Sequence, residues 1–330
     1  MAKKRVSWRK VLFWLGIGLL LVLAVGPFLI SVPPLAGTVP PQMLADEDSR
    51  FITANGISVH YQSWGEGPPD MLLLHGFGAS TFTWREVGEP LTAVSTPWAF
   101  DRPAFGLTER PLPPDWPHEQ NPYTAVAQTD LTIALLDAWG VDQAVLVGNS
   151  AGGTIALYTA LRYPERVSGL ILVSPAVYTG GGAPSWIRPL FSLPQLDRLG
   201  PLLARTIQEQ GDNLARLSWH DPDAIPATAW DGYRRPLQAD NWDIALWELT
   251  KASRELNLDQ QLDQLPAELP ILIITGDDDR VVPTAETLRL ADALPQAELV
   301  VIPNCGHVPQ EECPEEFVEA IIKWQVASGK

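Results

Sequence analysis

The stretch Ala144-Val-Leu-Val-Gly-Asn-Ser-Ala-Gly152 places a serine between an apolar run and a helical pattern. Its first four residues are a short apolar run, typical of a strand that is buried on both faces, and the helical pattern Gly152–Tyr163 follows directly. The motif G-x-S-x-G at such a junction predicts a sharp, strained turn that lifts the serine hydroxyl out of a sheet. Ser150 is therefore the candidate nucleophile.

The segments around this motif alternate between strand and helix patterns. A hairpin is predicted first, because Asn55-Gly56 separates two short strand runs. The strand runs that follow are Met71–His75, Pro97–Phe100, Ala144–Val147, Leu170–Val173, Ile271–Ile274 and Leu299–Ile302, and the helical patterns are Tyr123–Trp139, Gly152–Tyr163, Thr284–Ala293 and Glu315–Val326. This order predicts an α/β fold with a mostly parallel sheet that is covered by helices on both faces.

Between Ser174 and Leu269 the alternation stops. This stretch contains the loop Gly180–Pro184, several helical patterns and five tryptophans, which are Trp186, Trp219, Trp230, Trp242 and Trp247. A loop of this length without structure of its own would be unusual. We therefore expect an inserted helical cap over residues 176–267, within a core formed by residues 50–175 and 268–330.

An apolar segment, Val11–Val32, lies near the N-terminus and carries no charge. At about 1.5 Å per residue its helix would be about 33 Å long, and the hydrocarbon core of a bilayer is about 30 Å thick. A cleaved signal peptide is the alternative, but its apolar part would be only about 7–15 residues long, and Pro33–Gly37 is a poor cleavage site. We expect residues 1–32 to be an uncleaved anchor and residues 33–49 to be a stiff Pro-rich linker that holds the body off the bilayer.

The charges indicate how such an anchor would be oriented. Five basic residues precede the apolar segment, namely Lys3, Lys4, Arg5, Arg9 and Lys10, and none follows it before Arg50. The positive-inside rule therefore predicts a single-pass protein with a cytoplasmic N-terminus and the body on the other side of the membrane. The whole chain has 23 basic and 39 acidic residues and a net charge of −16. Because five of the basic residues precede the apolar segment and no acidic residue does, the body is more acidic than the whole chain. So acidic a body argues against nucleic-acid binding.

The chain has two cysteines, Cys305 and Cys313. They do not form a disulfide framework, and without a C-x-x-C pair they do not suggest a zinc site. Two unpaired thiols are the first expectation, and a bridge between them in an oxidising compartment is the alternative.

A serine nucleophile needs a base, and His307 is the candidate. It lies in a loop directly after the last strand run, so it can meet Ser150 at the same edge of the sheet. Of the other four histidines, His75 is interpreted as a residue that stabilises a turn, His60 and His118 as surface or packing residues, and His220, in the cap, as a residue that could touch substrate.

Three further groups would complete the chemistry. Gly276-Asp-Asp-Asp279 follows a strand run, and one of its aspartates could orient the base. The pattern does not show which of the three has this role. At least one must be solvated, because three carboxylates that face one site would repel each other. The backbone N–H of Phe77, after His75-Gly76, could form an oxyanion hole with that of Ala151.

With these motifs, the chain from about Phe51 to Trp324 resembles the α/β-hydrolase superfamily, in its serine hydrolase type with an inserted lid. The stretches that carry the resemblance are His75–Gly78, Trp84, Asp101–Gly106, Gly148–Gly153, Gly276–Pro283 and Cys305–His307. The order Ser, Asp, His along the chain is also that of this superfamily. The resemblance implies that Asp279 is the acid, because similar members carry it at that position of the motif.

Two departures from related patterns narrow the expected activity. Haloalkane dehalogenases and epoxide hydrolases carry an aspartate where this chain has Ser150. The meta-cleavage-product C–C hydrolases resemble the chain at Gly148–Ser150 and Cys305–His307, but they usually follow the histidine with tryptophan, where this chain has Val308.

We therefore predict a carboxylic-ester hydrolase that works through an acyl-enzyme, needs no metal or organic cofactor, and acts on a small, apolar ester. The alternative is a C–C or amide hydrolase that uses the same residues. The second alternative is a non-catalytic binding protein of the same fold.

Overall fold

The computed structural model describes residues 7–178 and 186–328, and an eight-stranded sheet lies at their centre. The strands are β1 (Arg50–Ala54), β2 (Ile57–Ser63), β3 (Met71–Leu74), β4 (Pro97–Phe100), β5 (Ala144–Asn149), β6 (Val167–Val173), β7 (Ile271–Gly276) and β8 (Ala297–Ile302). Their order in the sheet is β1-β2-β4-β3-β5-β6-β7-β8. The pairs β1–β2 and β2–β4 are antiparallel, and the other neighbouring strands are parallel.

Helices cover both faces of this sheet. The α-helices of the described residues are α1 (Trp8–Leu29), α2 (Gly88–Leu91), α3 (Ala125–Ala138), α4 (Ala151–Arg162), α5 (Arg188–Phe191), α6 (Pro194–Glu209), α7 (Gly211–Ser218), α8 (Ala229–Arg234), α9 (Trp242–Ala252), α10 (Thr284–Ala293), α11 (Pro309–Glu312) and α12 (Pro314–Ser328). Alternate residues of the central strands enter two apolar clusters, one shared with α3, α4 and α10 and the other with α2 and α12. The predicted α/β fold with a mostly parallel sheet covered on both faces is confirmed.

The two ends of the sheet differ in how well the sequence predicts them. Asn55 and Gly56 both have positive φ angles, and the hairpin β1–β2 forms around them as expected. The run Leu299–Ile302 is as apolar as the run before Ser150 and predicts a strand buried on both faces, and this prediction is wrong: Leu299 and Val301 of β8 are exposed. The reason is its place at the edge of the sheet, where it pairs only with β7.

Helices α5 to α9 lie between β6 and β7, where the sequence predicts a cap. Trp242, the first residue of α9, packs with residues of α6 and with Phe105 and Tyr123 of the core in a small apolar cluster, and Trp219 and Trp247 are buried as well. These tryptophans therefore have packing roles, whereas Trp186 is exposed. The predicted loop Gly180–Pro184 lies outside the described residues.

The linker packs on the cap and is not a free spacer, and its role in holding the body off the bilayer stays a prediction. Val39 forms a parallel β-bridge with Ala239, and its carbonyl accepts a hydrogen bond from the N–H of Asp240. Asp46 forms an ion pair of 2.7 Å with Arg235. Because the backbone of the linker pairs with that of the cap, the two segments form one packed unit.

Cys305 and Cys313 form a disulfide, so the expectation of two unpaired thiols is wrong. Helix α11 lies between them and turns the chain back on itself, which brings their Cα atoms to 6.3 Å. This separation is within the usual range for a disulfide. The bridge closes the loop that contains His307.

Candidate active site

Ser150 occupies a strained turn between β5 and α4. Its φ of 53° and ψ of −120° are unfavourable for a residue with a side chain. The turn requires glycine on both sides, because a Cβ on Gly148 would collide with the backbone of Gly152, and one on Gly152 would collide with Leu74. The sharp strand-to-helix turn that the G-x-S-x-G motif predicts is therefore present.

His307 and Asp279 form a buried pair in which Nδ1 lies 2.8 Å from Oδ2. The other carboxylate oxygen of Asp279 accepts hydrogen bonds from the backbone N–H groups of Val281 and Val282, at 2.9 Å each. These donors orient the carboxylate, and the carboxylate favours the tautomer in which Nδ1 of His307 carries the proton. The unprotonated Nε2 is then the nitrogen that can accept a proton.

Asn149 connects the serine turn to the histidine loop, a role that the G-x-S-x-G motif does not predict. Its buried side-chain amide donates to the carbonyl of His307 at 3.1 Å and to that of Val173 at 3.3 Å. It therefore joins the end of β5, next to Ser150, to the loop after β8. The signals in the sequence are its place as a variable position of the G-x-S-x-G motif and its inclusion in the stretch Gly148–Ser150 that resembles the meta-cleavage-product hydrolases.

The other two aspartates of the same turn differ from Asp279. Asp277 is exposed, and its carboxylate accepts a weak hydrogen bond from the N–H of Cys305. Asp278 is partly exposed and pairs with His220 and Arg280. Arg280 is the first cause of a lowered Asp278 pKa, because it hydrogen-bonds the ionised carboxylate. The structure thus separates the three carboxylates, as their mutual repulsion requires.

The turn at Gly76-Phe77 lies against the serine. A Cβ on Gly76 would be only 3.3 Å from the Cβ of Ser150, so this turn and the nucleophile are in close contact. Ala151 is the first residue of α4, where backbone N–H groups have no acceptor within the helix. Their use as an oxyanion hole is still a prediction; it rests on the contact of Gly76 with Ser150, because Phe77 and Ala151 each follow one of these residues in the chain.

The side chains of His75 and Arg102 form hydrogen bonds with the backbone of this turn. The ring of His75 donates from Nδ1 to the carbonyl of Gly76 and accepts at Nε2 from the N–H of Arg102. Arg102 in turn donates to the carbonyls of His75 and Gly76 and to the side chain of Gln128. Burial, helped by the charge of Arg102, lowers the pKa of His75 to about 3, so the ring is neutral at ordinary pH.

The remaining histidines have other surroundings. His118 is exposed, as expected. His60 is buried, with its Nδ1 2.7 Å from Asp101, so the expectation of a surface position is wrong and that of a packing residue is correct. His220 contacts Asp278 at the edge of the cap.

Glu312 connects the cap to the histidine loop, and the sequence does not predict this contact. Its carboxylate accepts hydrogen bonds from the backbone N–H groups of Gly306, His220 and Asp221. The N–H of His307 also donates to the carbonyl of Ser218, at 2.7 Å. The cap segment 218–221 is thus fastened to the loop that carries His307.

One cluster of potential metal ligands lies next to this loop. The ligand atoms of Cys305, Glu312 and Cys313 are within 4.8 Å of one another. Both sulfurs, however, belong to the disulfide, and metals bind the thiolate form. In the oxidised form described here, the cluster does not fit a metal.

Comparison with known proteins agrees with this geometry. A model of the alpha/beta hydrolase fold family matches residues 69–314, so the chain belongs to this family. It is 32% identical over 280 residues to the uncharacterized hydrolase YugF of Bacillus subtilis strain 168, which covers 82% of this chain and 96% of that relative.

Two further relatives have more specific descriptions. A 2-hydroxymuconate semialdehyde hydrolase of Pseudomonas sp. strain CF600 is 30% identical over 289 residues, covering 83% of this chain and 93% of that protein. The solved structure of a membrane phospholipase A, described as a novel bacterial virulence factor, is 25% identical with a TM-score of 0.67. That comparison covers 96% of this chain and 99% of the other.

Proposed function

We propose that the protein is a serine hydrolase in which Ser150 attacks a carbonyl carbon, His307 takes its proton and Asp279 orients His307. The observation that carries the proposal is the strained serine joined through Asn149 to the loop of a buried histidine–aspartate pair. The N–H groups of Phe77 and Ala151 would stabilise the oxyanion of the tetrahedral intermediate. The leaving group departs with the proton from His307, and water activated by His307 then releases the acyl group.

We infer that the bond cleaved is a carboxylic ester with an apolar acyl group. The related membrane phospholipase A supports this choice, because its similarity extends over 96% of this chain and so includes most of the N-terminal segment, whereas the similarity to the C–C hydrolase covers 83%. Val308 after the candidate base is a second argument, since the meta-cleavage-product hydrolases usually have tryptophan there.

Hydrolysis of a C–C bond is the second candidate, and the sequence similarity favours it. The 30% identity to a 2-hydroxymuconate semialdehyde hydrolase is the specific observation. A muconate substrate carries a carboxylate that needs a cationic partner. Arg102, the cation beside the Gly76 turn, is buried and already donates from all three side-chain nitrogens to protein acceptors, which is an argument against this role.

We further propose that α1 anchors the protein in a membrane. Among the described residues it is the one helix that is long and apolar enough to cross a bilayer, and all its residues are unburied. Because the basic residues lie before it, the N-terminus would be cytoplasmic and the hydrolase body would lie on the other side. Extraction tests this: the full-length chain should stay with membranes through high-salt and carbonate washes, and release of a shortened protein would indicate a cleaved signal.

A fluorophosphonate probe tests the nucleophile directly. The probe should label the wild-type protein and not Ser150→Ala, with Ser174→Ala as a matched control that keeps the label. A wild-type protein that is folded but unlabelled would contradict the proposal and favour a non-catalytic binding protein.

A substrate panel then distinguishes the bond that is cleaved. We expect turnover of apolar esters, and none of amides or of vinylogous diketones, measured by release of acyl products. Turnover of the diketones with esters untouched would replace the ester proposal by C–C hydrolysis while leaving the role of Ser150 intact.

A further inference from the structure

Helix α6 of the cap lies along the C-terminal half of α1, and three hydrogen bonds give its direction. The amide of Gln195 donates to the carbonyl of Ala24 at 3.2 Å, which is the deepest of these contacts. Further along α6, Arg198 donates to the carbonyl of Ile30, and Arg205 to that of Pro33. Helix α6 therefore runs outward along α1, and its N-terminal end lies nearest the middle of α1.

The position of Ala24 gives the depth of that end. Ala24 precedes the last residue of α1, Leu29, by five positions, so at 1.5 Å per residue it lies about 8 Å below the end of the helix. Amphipathic segments that lie in a membrane interface bury their apolar face by about 5–10 Å. If α1 spans the bilayer and the hydrocarbon core ends at Leu29, the start of α6 lies at this depth, and the short helix α5, which packs on α6, lies next to it.

The side chains at this place fit an interface between lipid and water. Trp186, Leu190 and Leu193 are 79%, 45% and 44% exposed, and they lie within eight residues of each other. Tryptophan is enriched at membrane interfaces, and a concentration of large exposed apolar groups on a soluble surface usually marks a contact site. The charged residue in the segment, Arg188, is directed back to the protein and pairs with Glu255 at 2.8 Å.

We propose that the segment Trp186–Leu193 inserts into the outer leaflet and is a second membrane contact, in addition to α1. The partner is the apolar part of a phospholipid bilayer, and not an anionic headgroup, because the body of the chain is strongly acidic. The inference rests on the proposed spanning role of α1, from which the depth is measured. The cap is then held against the bilayer surface at two places.

Fluorescence quenching in vesicles tests the depth with three matched leucines. Leu20 lies in α1, Leu190 in α5 and Leu217 in α7, and all three are exposed. Each is replaced by cysteine in the full-length chain, labelled with the fluorophore NBD, and reconstituted in phosphatidylcholine vesicles that contain doxyl-labelled lipid. Cys305 and Cys313 are joined in the disulfide, so without reductant the label attaches to the introduced cysteine.

We expect Leu190→Cys to lose about half of its emission when the doxyl group lies near the headgroups, because an inserted interfacial segment is within reach of it. Leu20→Cys should be quenched most by a doxyl group near the bilayer centre, and Leu217→Cys should not be quenched. Circular dichroism of each variant checks that it is folded.

The other outcomes separate the two proposals. Quenching at Leu20 without quenching at Leu190 would overturn the second contact and leave the spanning helix intact. No quenching at Leu20 would overturn the spanning helix and, with it, the depth inferred for the cap. Emission from Leu190 that is insensitive to doxyl lipid but changes with the protein-to-lipid ratio would replace the bilayer by a second copy of the chain.

Discussion

Two aspartate–histidine pairs use neighbouring aspartates of one turn. One pair lies in the core, and the other lies at the edge of the cap. Nδ1 of His307 lies 2.8 Å from Asp279, and Nδ1 of His220 lies 2.8 Å from Asp278. The core pair is almost fully buried, whereas the side chains of the pair at the cap are 38% and 37% exposed. Solvent screens the exposed charges and leaves the buried ones strongly coupled. Equal distances therefore do not mean equal roles.

A third pair shows that burial alone does not define a catalytic role either. His60 and Asp101 are 2.7 Å apart and are both buried. Burial raises the pKa of Asp101, but the charge and hydrogen bond of His60 outweigh it and lower this pKa to about 2. The carboxylate also accepts hydrogen bonds from the N–H groups of Thr81 and Leu107, so it fastens two loops. What distinguishes the Asp279 pair is its connection to Ser150 through Asn149.

The largest effect should come from Asp279→Asn. Neutralising an orienting acid leaves the base in the wrong tautomer, and we expect a loss of roughly 10⁴ in kcat. Asp278→Asn and Asp277→Asn are the matched controls, with much smaller losses, and steady-state kinetics on the best ester of the panel measures all three. A larger loss at either control would transfer the role of the acid to that residue.

Asp101→Asn should act on stability instead. Removing one partner of a buried pair costs about 3–5 kcal/mol, because the other group is left without compensation. Urea titration should show this loss for Asp101→Asn and almost none for Asp278→Asn. If Asp101→Asn kept its stability and lost activity, the distinction between the structural and the catalytic pair would be wrong.

The neutral His75 predicts a pH dependence of stability. Its pKa is about 3 in the folded chain and about 6.5 in the unfolded chain, so below pH 6.5 only the unfolded state takes up the proton. The contribution of His75 is thus present above pH 6.5 and is lost as the pH falls toward 3, by at most about 1.4 kcal/mol per pH unit. Urea titrations at several pH values should show a weaker decline for His75→Gln than for the wild type. The exposed His118→Gln should keep the wild-type decline.

The smallest effect concerns the pair at the cap. A double-mutant cycle of His220→Gln and Asp278→Asn should give a coupling below about 1 kcal/mol that decreases further with salt, as for other exposed pairs. A coupling as large as that of a buried pair would contradict the contrast between the two regions.

The parts of the site that the sequence predicts are those encoded by local patterns. The turn at Ser150 follows from two glycines, a strand run and a helix that are adjacent in the chain. Asp279 required the family resemblance, because its selection among three aspartates depends on the N–H groups of Val281 and Val282, which the pattern does not reveal.

The local sequence patterns do not predict contacts between distant segments. The bridge of Val39 to Ala239 and the pairing of His60 with Asp101 depend on how distant segments pack. The disulfide depends on a short helix, α11, which the patterns did not predict. The first two features depend on tertiary placement, which local propensity does not indicate, and the disulfide depends on the local backbone of a loop of eight residues.

The hydrogen bonds that Glu312 accepts from both the cap and the His307 loop have a consequence for access to Ser150. The same carboxylate holds Gly306 and the cap residues His220 and Asp221, and the N–H of His307 holds Ser218. A cap that swung away on this flank would pull on the loop of His307, which the disulfide makes stiff. Wide opening there and an assembled site are therefore mutually exclusive. We therefore expect substrate and product to exchange on another flank of the cap, while the hydrogen bonds on this side stay closed.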